Sequence, residues 1–116
     1  MREPSLDHLR TLVTAADLGS LAAAAQALHL APPTVTLHIA DLEARLGGVL
    51  LLRGRGPAVP TALGRDFIAR ARRILAEMDE AVAAARRQAQ GERGAVRLGA
   101  STGAIAHLLP RALEQL

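Results

Sequence analysis

Two adjacent prolines, Pro32 and Pro33, constrain the fold of this chain more than any other residues. Proline lacks an N–H and its ring collides with the preceding turn, so a pair of them fits a helix only in its first turn. A helix therefore starts here. Its apolar stripe is Val35, Ile39, Leu42 and Leu46, spaced four, three and four, and Gly47-Gly48 stops it. Upstream, Ser20 is a good N-cap for a shorter helix whose run Ala22 to Ala25 lets another helix backbone come near. Leu28 and Leu30 turn inward around His29. That histidine is expected to be a solvent-facing turn residue, because no second His or acid stands at a metal-ligand spacing. Gly19 to Gly47 is thus two helices joined at a tight angle with the second presented outward, the layout of a helix-turn-helix.

The flanks fit that layout. Leu6, Leu9, Leu12, Val13 and Ala16 share one face of a packing helix that ends near Leu18, before Gly19. Beyond the motif, Leu50 to Leu52 can form a short strand that pairs back near Val59 across the Arg53-Gly54-Arg55-Gly56-Pro57 turn, a small hairpin or wing. The Gly-Arg-Gly is no phosphate loop, since the Lys-Ser/Thr ending is missing. Arg53 and Arg55 are either solvated turn residues or cations that touch phosphate or the minor groove; their place beside an outward helix favours the second.

Thr61 caps a long helix, Ala62 to Gln90. Its apolar seam, Leu63, Phe67, Ala71, Ile74, Met78, Ala81 and Ala85, keeps a 3.5-residue average from Phe67 onward and describes a coiled-coil face. About 29 residues make about 43 Å of helix, more than a head of residues 1–60 can cover. The economical cover is the same helix of a second copy, against the alternative of a lone helix lying on a further domain. Gly91-Glu92-Arg93-Gly94 is expected as a flexible break, Ala95 to Ala100 as a strand and Pro110 as a helical first turn. A strand and one helix cannot make a core, so the chain is expected to stop just inside a second domain.

Composition sharpens this reading. Aromatics are 1% of the 116 residues, so the core must come from Leu, Ile, Val and Ala. The pI of about 11.2 suggests a nucleic-acid binder, yet the formal charge is only +3 and the chain has no Lys, Tyr or Cys to titrate below arginine. Residues 1–60 carry five arginines (2, 10, 45, 53, 55) against five acids (3, 7, 17, 41, 43), so the head is neutral. Zero cysteines exclude disulfides and thiolate metal sites and fit a cytoplasmic setting. Met1 to Pro4 is polar and no apolar run nears the roughly 18 residues of a membrane span, so neither a signal peptide nor a membrane partner is expected. The four histidines (8, 29, 38, 107) are scattered and no Ser or Asp joins them in a motif, so the chain is read as no enzyme, with no metal and no cofactor.

Gly19-Ser20, Ala24-Ala25, Leu28, Pro33, Ile39, Leu42-Glu43, Leu46-Gly47, Arg53, Thr61 and Gly64, in this order and spacing, resemble the N-terminal part of a LysR-type transcriptional regulator. The resemblance covers essentially the whole chain, down to the Leu-Gly-Ala and Leu-Pro of its tail. It implies a mainly α fold: a winged helix-turn-helix DNA-binding head (1–60), a linker or dimerisation helix (61–90), and a hinge with the first strand and helix of an incomplete α/β effector-binding domain (91–116). It implies a sequence-specific regulator that binds double-stranded DNA as a homodimer on an inverted repeat, with a tetramer as the further option in a longer protein. Ser20, Ala31, Pro32, Pro33, Thr34, Thr36, Leu37, His38, Arg53 and Arg55 would face DNA; the seam residues named above would pair; Ser101 and Thr102 would line a small-molecule effector site.

The departures from the family pattern fall on the reading edge. Ala31-Pro32 replaces the usual Ser-Gln, Leu37-His38 replaces a commonly basic or amide pair, Leu51 replaces an aromatic, and Gly56, Pro57 and Val59 take later basic wing positions. A second reading follows from those losses: a protein-interaction module that keeps the scaffold without DNA contacts.

Overall fold

The structure, a computed structural model, describes residues 4–97. Its elements are α1 (Leu6–Leu18), α2 (Leu21–Leu28), α3 (Pro32–Leu46), β1 (Leu51–Leu52), β2 (Val59–Pro60) and α4 (Ala62–Arg97). The chain divides into two units, Met1–Ala76 and Glu77–Leu116. The first holds the head together with the opening turns of α4. The second holds the rest of α4.

Local chemistry sets each boundary of the head. Ser5 and His8 form a reciprocal capping box at the start of α1, and Gly19 closes it in the left-handed region at φ 68°. Ser20 Oγ accepts from the Ala23 N–H, 3.1 Å, as the cap of α2. His29 then turns the chain at φ 57°, a conformation L-residues adopt at a cost, and its N–H still satisfies carbonyls of the last turn of α2. It is exposed, as expected. Ala31 supplies no side-chain cap to α3; the helix starts on the prolines alone.

Leu9, Leu12 and Ala15 of α1, Ala24 and Ala25 of α2, and Val35, Ile39 and Leu42 of α3 meet in one buried cluster. The alanines bring α2 close to its neighbours, as their size requires. Leu50, Leu51 and Ala58 close the cluster from the wing, and Ile68, Ala71 and Leu75 from α4. Leu46, the fourth member of the α3 stripe, is 39% exposed: it sits on the last residue of the helix, past the reach of α1 and α2.

The wing is an antiparallel pair in the register Leu51↔Pro60 and Leu52↔Val59, one residue shorter at β1 than the Leu50–Leu52 run predicts. It is tied to the head at both ends. Ala58 N–H donates to Gly19 O, 2.9 Å, and Thr61 N–H to Leu50 O, 2.9 Å. Thr61 Oγ1 accepts from the Gly64 N–H, 2.9 Å, capping α4, while donating to Val49 O, 2.6 Å. Gly64 lies so close to β1 that a Cβ there would fall on the Leu50 carbonyl, with its carbon only 2.9 Å away.

Two expectations about α4 fail. The helix does not break at Gly91-Gly94 but continues to Arg97, so residues 95–97 are helical where a strand is predicted. Each glycine costs a helix about 1 kcal/mol, which the good helix formers between and around them can offset, and no proline interrupts. The second failure is the place of Ala71: it is fully buried in the core of the head and so cannot belong to a seam open to another chain. Ser101, Thr102, residues 98–100 of the expected strand and the Pro110 turn lie outside the described residues.

Candidate nucleic-acid interface

The first two turns of α3 and the tip of the wing hold most of the residues expected to face DNA. Ala31, Pro32, Pro33, Thr36 and Leu37 are exposed, and Thr34 is half-buried with its N–H given to Ala31 O, 2.9 Å. Leu37 is the most open large apolar residue of the head at 67%. Pro33, Leu37, Ala40 and Ala44 are all exposed and recur at helical spacing, so the outward face of α3 is an apolar ridge. Thr36 Oγ1 donates to Pro32 O, 3.3 Å, which commits its only hydrogen to the helix and leaves lone pairs facing out.

His38 departs from its expected role. Instead of facing out it is half-buried toward α1, its Nδ1 2.8 Å from Thr11 Oγ1 and its ring edge-on to His8 with centroids 4.6 Å apart. Thr11 gives its hydroxyl hydrogen to Asp7 O, 3.0 Å, so at this contact it presents lone pairs and Nδ1 of His38 is the nitrogen that carries hydrogen. His8 is the reverse: its Nδ1 accepts from the Ser5 N–H, 3.3 Å, leaving Nε2–H toward Asp41 Oδ2 at 3.4 Å. Burial lowers the His8 pKa below its ordinary value, His38 adds to the lowering, and Asp41 opposes both. Asp41 is also held by Arg45, 2.9 Å. None of this network was legible in the sequence except as separate residues, because it needs α1 and α3 side by side.

The wing arginines differ from each other. Arg53 Nη2 donates to Glu43 Oε1, 3.2 Å, while Glu43 Oε2 accepts from the N–H groups of Leu50, 2.8 Å, and Leu51, 3.4 Å. Glu43 thereby ties the end of α3 to β1 and orients Arg53. Arg55 is exposed at the turn. Arg53, Gly54, Gly56 and Ala58 face Gly19, Ser20 and Leu21 across an open cleft of about 270 Å³ at the start of α2. The structure so brings Ser20 and Arg53 to one cleft, and it adds Glu43 and Thr11, which sequence reasoning passed over as site residues; the Leu42-Glu43 pair was the available signal for the first.

On α4 the head takes one face and leaves another. Gly64, Ile68, Ala71 and Leu75 point into the head and Phe67 packs half-buried against it, while Leu63 and Ile74, at 46% and 47%, stay open. In the second unit Met78, Ala81, Val82 and Ala85 are exposed. Arg72 is hydrogen-bonded through both amino groups to the carboxylate of Asp17, which holds the Asp17 carboxyl below its ordinary range and the guanidinium above its own. Among the described residues no acid and histidine cluster could hold a metal ion, and no helix is long and apolar enough to cross a membrane.

Residues 6–65 match the family described as bacterial regulatory helix-turn-helix protein, lysR family. The chain belongs to that family. Among its LysR-family relatives, the small neutral protease regulatory protein of Streptomyces coelicolor is 40% identical over 99 residues, covering 85% of this chain and 30% of that protein. The nitrogen assimilation regulatory protein nac of Klebsiella aerogenes is 33% identical over 111 residues, 96% of this chain and 36% of that protein. The LysR-family chain thus spans about a third of the length of these curated relatives. Its fold matches BenM_DBD in the crystal structure of a BenM_DBD/catB site 1 DNA complex with a TM-score of 0.72 at 35% identity, over 76% of this chain and 95% of that one. It matches CbnR_DBD in a CbnR_DBD-DNA complex with a TM-score of 0.69 at 36% identity, over 73% and 98%. The winged helix-turn-helix head followed by a long helix is therefore the fold that the sequence predicts.

Proposed function

We propose that this LysR-family chain is the DNA-binding part of a sequence-specific transcriptional regulator that lays the exposed edge of α3 in the major groove and sets its wing arginines on the flanking backbone. The observation that carries the reading is the exposed start of α3, together with exposed Arg53 and Arg55 on the wing, in a head whose fold is that of two proteins solved with DNA. A helix that reads a groove needs its buried face fixed and its outer face free, and α3 has both. Ser20 and the cleft it shares with Arg53 suit a phosphate, while Thr34, Thr36 and Leu37 suit base edges. His38 serves as a brace to α1 rather than as a reader. The setting is the bacterial cytoplasm and the activity is binding, not catalysis.

Pairing goes through α4. Leu63 and Ile74 in the first unit and Met78, Ala81, Val82 and Ala85 in the second are the apolar positions left for a second copy, with Phe67 at the margin and Ala71 withdrawn. A neutral head with few cations releases few counterions, so one head binds weakly and with a shallow salt dependence; two linked heads gain through effective concentration. The regulatory effector would be a small molecule bound by a further domain such as the longer relatives have room for, and Ser101 and Thr102 would belong to it.

Selecting bound sites from random duplexes with the dimer tests this. An enriched inverted repeat is the expected outcome, and no enrichment over the input overturns it. The exposed ridge of Pro33, Leu37, Ala40 and Ala44 favours the second reading, an apolar partner surface; a protein that enriches no DNA yet self-associates through a site abolished by Leu37→Asp would point there.

A further inference from the structure

We infer that Leu37 is a specificity-determining residue that reads thymine methyl groups, so that the half-site facing α3 is chosen by A·T pairs rather than by guanine; this rests on the DNA-binding reading above. The inference starts from what the reading edge lacks. Specific recognition of guanine in the major groove uses Arg or Lys on O6 and N7, and bidentate recognition of adenine uses Asn or Gln. Residues 31–38 contain none of these four. The nearest arginine on α3, Arg45, lies two turns beyond Leu37 and is held against Asp41 at 2.9 Å. The one histidine in the stretch, His38, is turned to α1, with its Nδ1 on Thr11.

What remains is apolar surface and lone pairs. Leu37 stands open on the same face as Pro33 and Ala40, with 67% of its surface exposed in a head that buries Val35, Ile39 and Leu42 of the same helix completely. Of the groups that line the major groove, only the thymine C5-methyl is apolar, and it is the one group with which an aliphatic side chain gains by contact. Thr36, next to it, has spent its hydrogen on the Pro32 carbonyl, so it offers an acceptor. An acceptor matches the exocyclic amino group of adenine or cytosine and is repelled by the carbonyl oxygens of guanine and thymine. Thymine methyl for Leu37 and adenine N6–H for Thr36 are both supplied by an A·T step. An all-polar target would instead leave Leu37 desolvating donors and acceptors that it cannot satisfy.

The test removes the methyl and nothing else. A duplex carrying the selected site is compared with one in which each thymine of the half-site is replaced by deoxyuridine, using wild type and Leu37→Ala in anisotropy titrations. Wild type is expected to lose about fourfold in affinity for each contacted thymine, the equivalent of about 0.8 kcal/mol for one buried methyl-sized group. Leu37→Ala should bind the two duplexes equally, while melting at the wild-type temperature because the residue is exposed. Equal wild-type affinity for the two duplexes overturns the inference. So does discrimination that persists in Leu37→Ala, which would place the effect in the stiffness of the DNA. A wild-type protein that selects no site at all overturns the DNA-binding reading itself, and this inference with it.

Discussion

α3 and α4 are both amphipathic helices, yet the head uses them in opposite ways. α3 spends all of its apolar stripe but the terminal Leu46 inside: Val35, Ile39 and Leu42 are closed off, and its opposite face stays open. α4 carries two adjacent apolar stripes, one spent on the head through Ile68, Ala71 and Leu75, and one left open through Leu63 and Ile74. The difference teaches that an apolar period identifies a helix that must be covered, but says nothing about how many partners cover it. Only packing counts them.

That contrast can be broken from either side. The largest effect should come from Leu42→Ala in α3, which leaves a cavity among fully buried neighbours and should cost about 2–5 kcal/mol in denaturant unfolding; a loss under about 1 kcal/mol would mean the core repacks around α3 and does not hold it. Gly64→Ala attacks the junction of α4 with the wing, where the new Cβ meets backbone that cannot rotate away. A loss of about 1–3 kcal/mol is expected, and an unchanged melting curve would show that α4 can lift from β1.

On the open stripe, Ile74→Asp should leave each head folded, with stability within about 0.5 kcal/mol of wild type when measured on the monomer, yet convert dimer to monomer in sedimentation and weaken binding to an inverted repeat. A dimer that survives the charge would move the interface elsewhere. On the reading side, Arg53→Ala should weaken binding similarly for all sequences and lower the salt slope by about one per head.

Smaller effects follow from titration. His8 is pushed below the ordinary value of 6.5, chiefly by burial, so the unfolded chain binds its proton first as pH falls. Stability is therefore full above pH 6.5 and declines as pH drops below it, until His8 is protonated in the folded state too. A His8→Gln variant should show a shallower decline of melting temperature over that window, and an identical slope would remove His8 as a cause. Asp17 has its pKa lowered, first by the hydrogen bond from Arg72, so its contribution is present above the unfolded value of 3.8 and is lost as pH falls through the lower folded one. Both side chains are about half exposed, which limits the pair to no more than about 1 kcal/mol. Asp17→Asn measured at neutral pH checks it.

Much of the head is legible in the sequence. Pro32-Pro33 and Gly47 fixed the ends of α3, Ser20 the start of α2, Gly19 the end of α1, and Thr61 the start of α4, because caps and breakers act within one turn and depend on nothing distant. The site was legible in part. Ala31, Pro32, Pro33, Thr36 and Leu37 emerge exposed at the start of α3, but His38 turns toward α1, since nothing local says that Thr11 and His8 wait there to take it. Glu43 was visible only as half of a family pair; its three-way hold on Leu50, Leu51 and Arg53 exists only once β1 folds back under α3.

The sequence by itself determined the helices, their order, the turn chemistry between them and the absence of Arg, Lys, Asn and Gln from residues 31–38, all properties of residue type at fixed spacing. Tertiary structure decided which apolar stripe of α4 the head consumes, that Ala71 belongs inside, and that His38 packs half-buried against α1. Period 3.6 places side chains around one axis but carries no information on the direction from which a neighbour arrives. Even the continuation of α4 through Gly91 and Gly94 to Arg97 belongs to this second group: a glycine's cost of about 1 kcal/mol is too small for its identity alone to decide whether a helix ends.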